Sequence, residues 1–180
     1  MRLLLVSDLH YSLQSFDWVV EVADDFDIVV MAGDHLELAS LVDGRTQATV
    51  IRKYFDLIRA KTELLICSGN HDLDSKNEAG EGMAQWLLGR RNDGILSDGE
   101  SMRIDDILFT ACPWWDGPVS KAEIGQQLRK AADDRESRWI WIYHAPPSKS
   151  PIAWSGQRYF GDDALVHWID EYQPDIVMCG

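Results

Sequence analysis

Short, unbroken apolar runs alternate along this chain with stretches of helical spacing. Residues 2–7, 27–32, 63–68, 107–112, 139–143 and 175–179 are rich in Val, Ile and Leu, the pattern of strands buried on both faces. Between them, residues 15–24, 46–61, 82–88, 121–136 and 162–172 carry the 3.6-residue period. In the second of these helices Val50, Tyr54, Leu57 and Ile58 fall on one predicted face. This alternation predicts an α/β fold on a largely parallel sheet. Residues 102–104 and 107–109, around Asp105-Asp106, instead predict a β-hairpin in a second sheet. Residues 146–156, rich in Pro and Ser, form the longest predicted loop. With no internal repeat or linker, the 180 residues are expected to form one domain.

Composition narrows the picture further. The chain is 46% hydrophobic and 26% charged, ordinary for a soluble globular domain. Its only N-terminal apolar run, residues 3–6, is too short for a signal peptide or membrane span. Cys67, Cys112 and Cys179 all lie in strand-like runs with no zinc or disulfide spacing, so buried free thiols and a cytoplasmic location are expected. A formal net charge of −13 repels long polyanions, which argues against DNA or RNA as a partner. A small phosphate substrate stays compatible where bound metal ions offset the charge.

The candidate chemistry lies where predicted strands end. The first strand delivers Asp8 and His10, the second Gly33-Asp34, the third Gly69-Asn70-His71-Asp72, and the strand at 139–143 delivers His144. In α/β folds functional residues gather at such ends. Carboxylate, imidazole and amide oxygen without thiolate suit two divalent ions of the Mn, Fe or Zn type. Such a pair would lower the pKa of a shared water towards about 7 and yield a hydroxide nucleophile.

Asp8-x-His10, Gly33-Asp34, Gly69-Asn70-His71-Asp72 and His144 together resemble the calcineurin-like metallophosphoesterase superfamily. The resemblance implies a two-sheet α-β-β-α sandwich and hydrolysis of a phosphate ester. It implies that Asp8 and His10 bind one metal, Asp34 bridges, and Asn70 and His144 bind the other. His71 would stabilise the phosphate's developing charge and assist the leaving group, oriented by Glu37, with Asp72 close by as a rival for that role. The family closes its site with Gly-His-x-His, whereas this chain stops at Gly180, so a truncated domain lacking its last strands is expected. Leu38 stands where phosphoprotein phosphatases carry Arg, which favours the phosphodiesterase-like branches and a diester or small nucleotide-like substrate.

Other residues admit two readings. Trp114 and Trp115, two of eight tryptophans, either wall a substrate pocket and stack on a base or cap the edge of the core. Trp154 has the same choice, while Trp18, Trp86, Trp139, Trp141 and Trp168 are expected to pack inside. His35, beside Asp34, is a candidate for the substrate side, against a place behind or outside the site. His167 is expected to be structural. A catalytically inactive binding scaffold on the same fold is the rival function. A Rossmann- or flavodoxin-like nucleotide binder is disfavoured, because residues 7–11 contain no glycine-rich phosphate turn.

Overall fold

The first three apolar runs form one parallel sheet in the order β1 (Leu3–Val6), β2 (Ile28–Ala32), β3 (Glu63–Cys67). Leu3 lies opposite Ile28 and Ile28 opposite Glu63, so all three strands end at one edge. This computed structural model describes residues 1–180, apart from the side chains of residues 91 and 92. A two-stranded ribbon follows, β4 (Ser75–Lys76) against β5 (Gly82–Met83). The second sheet runs β6 (Glu100–Ile104), β7 (Ile107–Ala111), β8 (Arg138–Ile142), β9 (Ile176–Met178). There β6 and β7 make the expected hairpin, and β7, β8 and β9 are parallel.

Alternation along each strand sorts the side chains into layers. Ile28, Val30, Ala32, Leu65 and Cys67 of the first sheet meet Phe109, Ala111, Ile140 and Ile142 of the second. The opposite face of the first sheet, Val29, Met31, Leu64 and Ile66, packs under α1 (Leu13–Val22) and α2 (Gly44–Arg59). Leu108, Trp139, Trp141 and Tyr143 pack under α3 (Pro118–Asp133) and α4 (Asp163–Tyr172). The result is the four-layer α-β-β-α sandwich. Each large apolar side chain taken fully out of water contributes about 1.5–3 kcal/mol. Strands β2, β3, β7 and β8 are buried on both faces, whereas β1 and β9, expected to be so, lie at sheet edges and are partly exposed.

Several local expectations need correction. Residues 82–88 are not a helix: Gly82–Met83 is a strand and Gln85–Leu87 a single 3-10 turn. Seven residues are too few to nucleate a helix unaided, and Gly82 N–H is drawn to Asp116 Oδ2 (2.8 Å). The buried face of α2 is Gln47, Ala48, Ile51, Phe55 and Ile58, while Leu57 is 53% exposed. Two overlapping stripes satisfy the same period, and Phe55 decides by stacking on Trp86 (6.0 Å between centroids, 8° between planes). α3 begins at Pro118, three residues before Lys121, with Ser120 Oγ accepting the Gly117 N–H (3.2 Å). Trp18 is 49% exposed rather than packed, and His167 lies on the exposed face of α4. Cys67 and Cys112 are buried and Cys179 half-buried, all as free thiols.

Candidate metal centre

Beyond the strand ends the backbone continues the ladder through tight turns. Asp8 N–H donates to Gly33 O (3.1 Å), His10 N–H to Asp34 O (3.0 Å) and Tyr11 N–H to His35 O (2.9 Å). Of seven non-glycine residues with positive φ among the described residues, four are here: Asp8, His10, Tyr11 and Asp34. Each left-handed L-residue costs roughly 1–2 kcal/mol, so this edge holds strain that packing elsewhere offsets. Gly33, at φ +87°, cannot be replaced cheaply, since a Cβ would lie 2.6 Å from His144 Nδ1. A Cβ on Gly69 would collide with the Asp34 carboxylate. Both glycines therefore let the second and third strand ends close on one carboxylate.

Asp34 is that carboxylate, 3% exposed and central. Its Oδ2 lies 3.4 Å from His144 Nε2, 3.8 Å from His10 Nε2 and 3.9 Å from His71 Nε2. Its Oδ1 accepts the His71 N–H (2.9 Å). Asp8 Oδ1 is 3.8 Å from His10 Nε2. The donor atoms form two tight groups, Asp8–Asp34–His144 and His10–Glu37–His71, each within 4.8 Å. Glu37 sits between two rings, with Oε2 3.7 Å from His10 Nδ1 and Oε1 4.0 Å from His71 Nδ1. The two imidazoles meet edge to face at 4.6 Å.

The electrostatics fit a cation. Burial alone would raise the Asp34 carboxyl, but the hydrogen bond with His144 and the His71 N–H bring it below its ordinary value. His144 shows the converse: burial lowers it, and the facing Asp34 more than restores it, so it lies above the usual imidazole value. His144 Nδ1 is 2.8 Å from Ala32 O, which assigns the proton to Nδ1 in the neutral ring and turns the Nε2 lone pair towards Asp34. Two acceptors facing each other at 3.4 Å call for a proton or a metal ion between them. Carboxylate and imidazole donors converging this way match divalent transition ions.

Not every expected residue joins them. Asp72 is fully buried, and its carboxylate accepts the N–H groups of His35 (2.9 Å), Leu36 (3.0 Å) and Gly69 (2.9 Å). It staples the loop after β2 to the loop after β3 and has no surface at the site. His35 is 1% exposed, with Nε2 3.0 Å from Cys67 O and its ring edge-on to Phe55 and Trp86. It packs behind the site, because its backbone turns inward with Asp72. Asn70, by contrast, lines a cavity of about 730 Å³ together with Asp8, Asp34, His144, Trp114 and Trp115. Trp114 lies edge-on to His144 at 5.7 Å. Trp115 Nε1 donates to Asp162 Oδ2 (2.7 Å) and Tyr143 Oη (2.9 Å). Trp154 is not on that wall; it packs on Tyr159 (4.9 Å). Glu37 and His71 open instead onto a groove of about 410 Å³. Sequence reasoning misses Lys121, Asp116, Phe160, Asp162 and Asp163, which also line the larger cavity. Asp162 alone leaves a signal, as an Asp just before a helical pattern; it caps α4 by accepting Ala164 N–H (2.6 Å).

Fold and donor set together define an α/β sandwich with a metal-binding edge. A family model described as calcineurin-like phosphoesterase matches residues 1–180, and the chain belongs to that family. No curated protein matches it by sequence. Among solved structures, TT1561 of Thermus thermophilus is similar with a TM-score of 0.68 and 14% identity, over 99% of this chain and 80% of that one. The purple acid phosphatase PPD1 from seeds of yellow lupin (Lupinus luteus) is similar with a TM-score of 0.58 and 16% identity, over 100% of this chain and 37% of that one. At such identities the likeness concerns the fold. Among the described residues no helix is long and apolar enough to cross a membrane.

Proposed function

We propose that the protein hydrolyses a phosphate ester, a diester or small nucleotide-like molecule, with two divalent ions of the Mn, Fe or Zn type. The observation that carries this reading is the convergence on Asp34 Oδ2, which lies 3.4 Å from His144 Nε2 and 3.8 Å from His10 Nε2, with Asp8 Oδ1 3.8 Å from His10 Nε2. Asp8 and His10 would hold one ion, Asn70 and His144 the other, with Asp34 between them. Bound there, the ions would supply a nucleophilic oxygen from water near neutral pH and withdraw charge from the phosphoryl group.

The remaining work falls to the chain's own side chains. Glu37 Oε1 faces His71 Nδ1 at 4.0 Å, and as general acid His71 would act as the imidazolium, with Nδ1 towards Glu37 and the transferable proton on Nε2. His71 then stabilises the developing phosphate charge and protonates the departing oxygen. His144 is fixed in one tautomer by the Ala32 carbonyl. Asp72 is a positioning residue, holding His35 and Gly69 so that Asp34 and Asn70 keep their places.

His71→Ala tests the assignment. Turnover of bis-p-nitrophenyl phosphate is expected to fall about 10²–10⁴-fold, the usual worth of a general acid, with metal content by mass spectrometry unchanged. A variant that keeps near-wild-type turnover would remove His71 from the mechanism. Turnover lost together with the metal would make it a ligand instead.

A further inference from the structure

Members of the two donor groups open onto different cavities. Asp8, Asp34 and His144 line the larger one, whereas Glu37 and His71 line the smaller groove together with Leu36, Leu38 and Leu73. The leaving group departs on the His71 side, so the half of the ester that keeps the phosphate occupies the larger cavity. This division rests on the proposed phosphoesterase reading.

The charges lining that larger cavity are uneven. Five carboxylates contribute, Asp8, Asp34, Asp116, Asp162 and Asp163, against a single cation, Lys121. Asp8 and Asp34 belong to the metal-binding group. Asp116 accepts the Gly82 N–H (2.8 Å). Asp162 is committed to Trp115, Tyr143 and the cap of α4. Among the described residues Lys121 forms no ion pair with any of them. It rests instead over the Trp115 ring, with Nζ 5.2 Å from the centroid. That ring is pinned through Nε1 by Asp162 and Tyr143. A cation held on an aromatic face keeps its full charge and at least part of its three N–H donors.

From this geometry we infer that Lys121 is a specificity-determining residue that receives a second phosphate on the retained half of the substrate. The substrate class is a phosphodiester whose retained alcohol is itself phosphorylated, such as a nucleoside 3′,5′-bisphosphate ester. Its body lies in the cavity bordered by Trp114 and Phe160. A lysine ammonium is a suitable point charge for such a group, and in a chain of net charge −13 it is the local exception that admits a second negative group.

The test compares two esters that differ only there. Thymidine 5′-(p-nitrophenyl phosphate) carries one phosphate, and its 3′-phosphorylated form carries the second. Wild type, Lys121→Met and Lys121→Arg would be assayed with both, the Met variant keeping an apolar stem on Trp115. The wild-type preference in kcat/KM for the 3′-phosphorylated ester should fall about tenfold or more in Lys121→Met, as expected for one lost charge-assisted hydrogen bond. The loss should lie in KM, and Lys121→Arg should restore most of it. Calorimetric titration of the metal-loaded protein with thymidine 3′,5′-bisphosphate and with thymidine 5′-monophosphate reads the same preference without turnover. Turnover of both esters with an unchanged preference in Lys121→Met overturns the inference and leaves the phosphoesterase reading intact. Absence of turnover in wild type with a Lys121-dependent binding preference does the reverse.

Discussion

At the scale of single residues, the site depends on what glycine permits and what a buried carboxylate costs. Gly33 is both left-handed and in contact with the His144 ring, so Gly33→Ala adds about 1–2 kcal/mol of backbone strain to a 2.6 Å collision. It is expected to lower the melting temperature and abolish metal retention on dialysis; full metal content in that variant would contradict the packing described. Asp98 offers a cleaner electrostatic test. Burial pushes its carboxyl up to about 7, against the opposing hydrogen bonds from Ser68 and with help from nearby Asp72 and Glu100. Its value is raised on folding, so the stability it permits is full below about pH 4 and is lost as pH rises through about 7. Asp98→Asn keeps an acceptor for the Ser68 N–H (2.7 Å) and removes the charge. The variant should gain on wild type in unfolding free energy from urea titration between pH 5 and pH 8, by on the order of a few kcal/mol; parallel pH profiles would deny the buried charge. Neither Asp98 nor the fate of Asp72 and His35 was legible in the sequence. A polar residue at a strand end looks alike whether it turns to the cavity or into the core, and three backbone N–H groups decide it for Asp72.

At the scale of elements, legibility followed burial. The strands with both faces covered read as unbroken apolar runs, and β2, every residue of which is buried, coincides with its predicted run to within one residue. Where hydrogen bonding to a distant partner sets the conformation, the period fails. Residues 82–88 carry helical spacing, yet Gly82 pairs in a ribbon and Trp86 Nε1 donates to Asp72 O (2.8 Å). The stripe predicted on α2 is rotated from the observed one for a related reason, since Leu57 and Phe55 both satisfy the helical period. Their difference makes a direct test. Phe55 is fully buried and stacked on Trp86, so Phe55→Ala should cost about 3–5 kcal/mol, whereas Leu57→Ala at 53% exposure should stay within about 0.5 kcal/mol. Equal losses in chemical denaturation would mean that α2 packs by its other face.

At the scale of the whole molecule, one parallel and one mixed sheet bring strand ends from opposite halves of the chain to one edge. His144 reaches Asp34 from the second sheet, and its ring is held there by the carbonyl of Ala32, 112 positions earlier in the chain. The alternating pattern made the α/β class legible, and the motif resemblance pointed to the stacked sheets. Neither showed that Asp8, Asp34 and His144 line one cavity while Glu37 and His71 line another. That arrangement is a tertiary fact, invisible to any local pattern. The acidic composition, net charge −13, disfavours long polyanions as substrates. The most direct test of the central claim is metal content by mass spectrometry on protein loaded with Mn²⁺ and desalted, with bis-p-nitrophenyl phosphate turnover on the same sample before and after chelation. About two ions per chain, with turnover that disappears on chelation and returns with Mn²⁺, is the expected result. Turnover that persists in metal-free protein, or a loaded protein that retains no ion and turns nothing over, would contradict it.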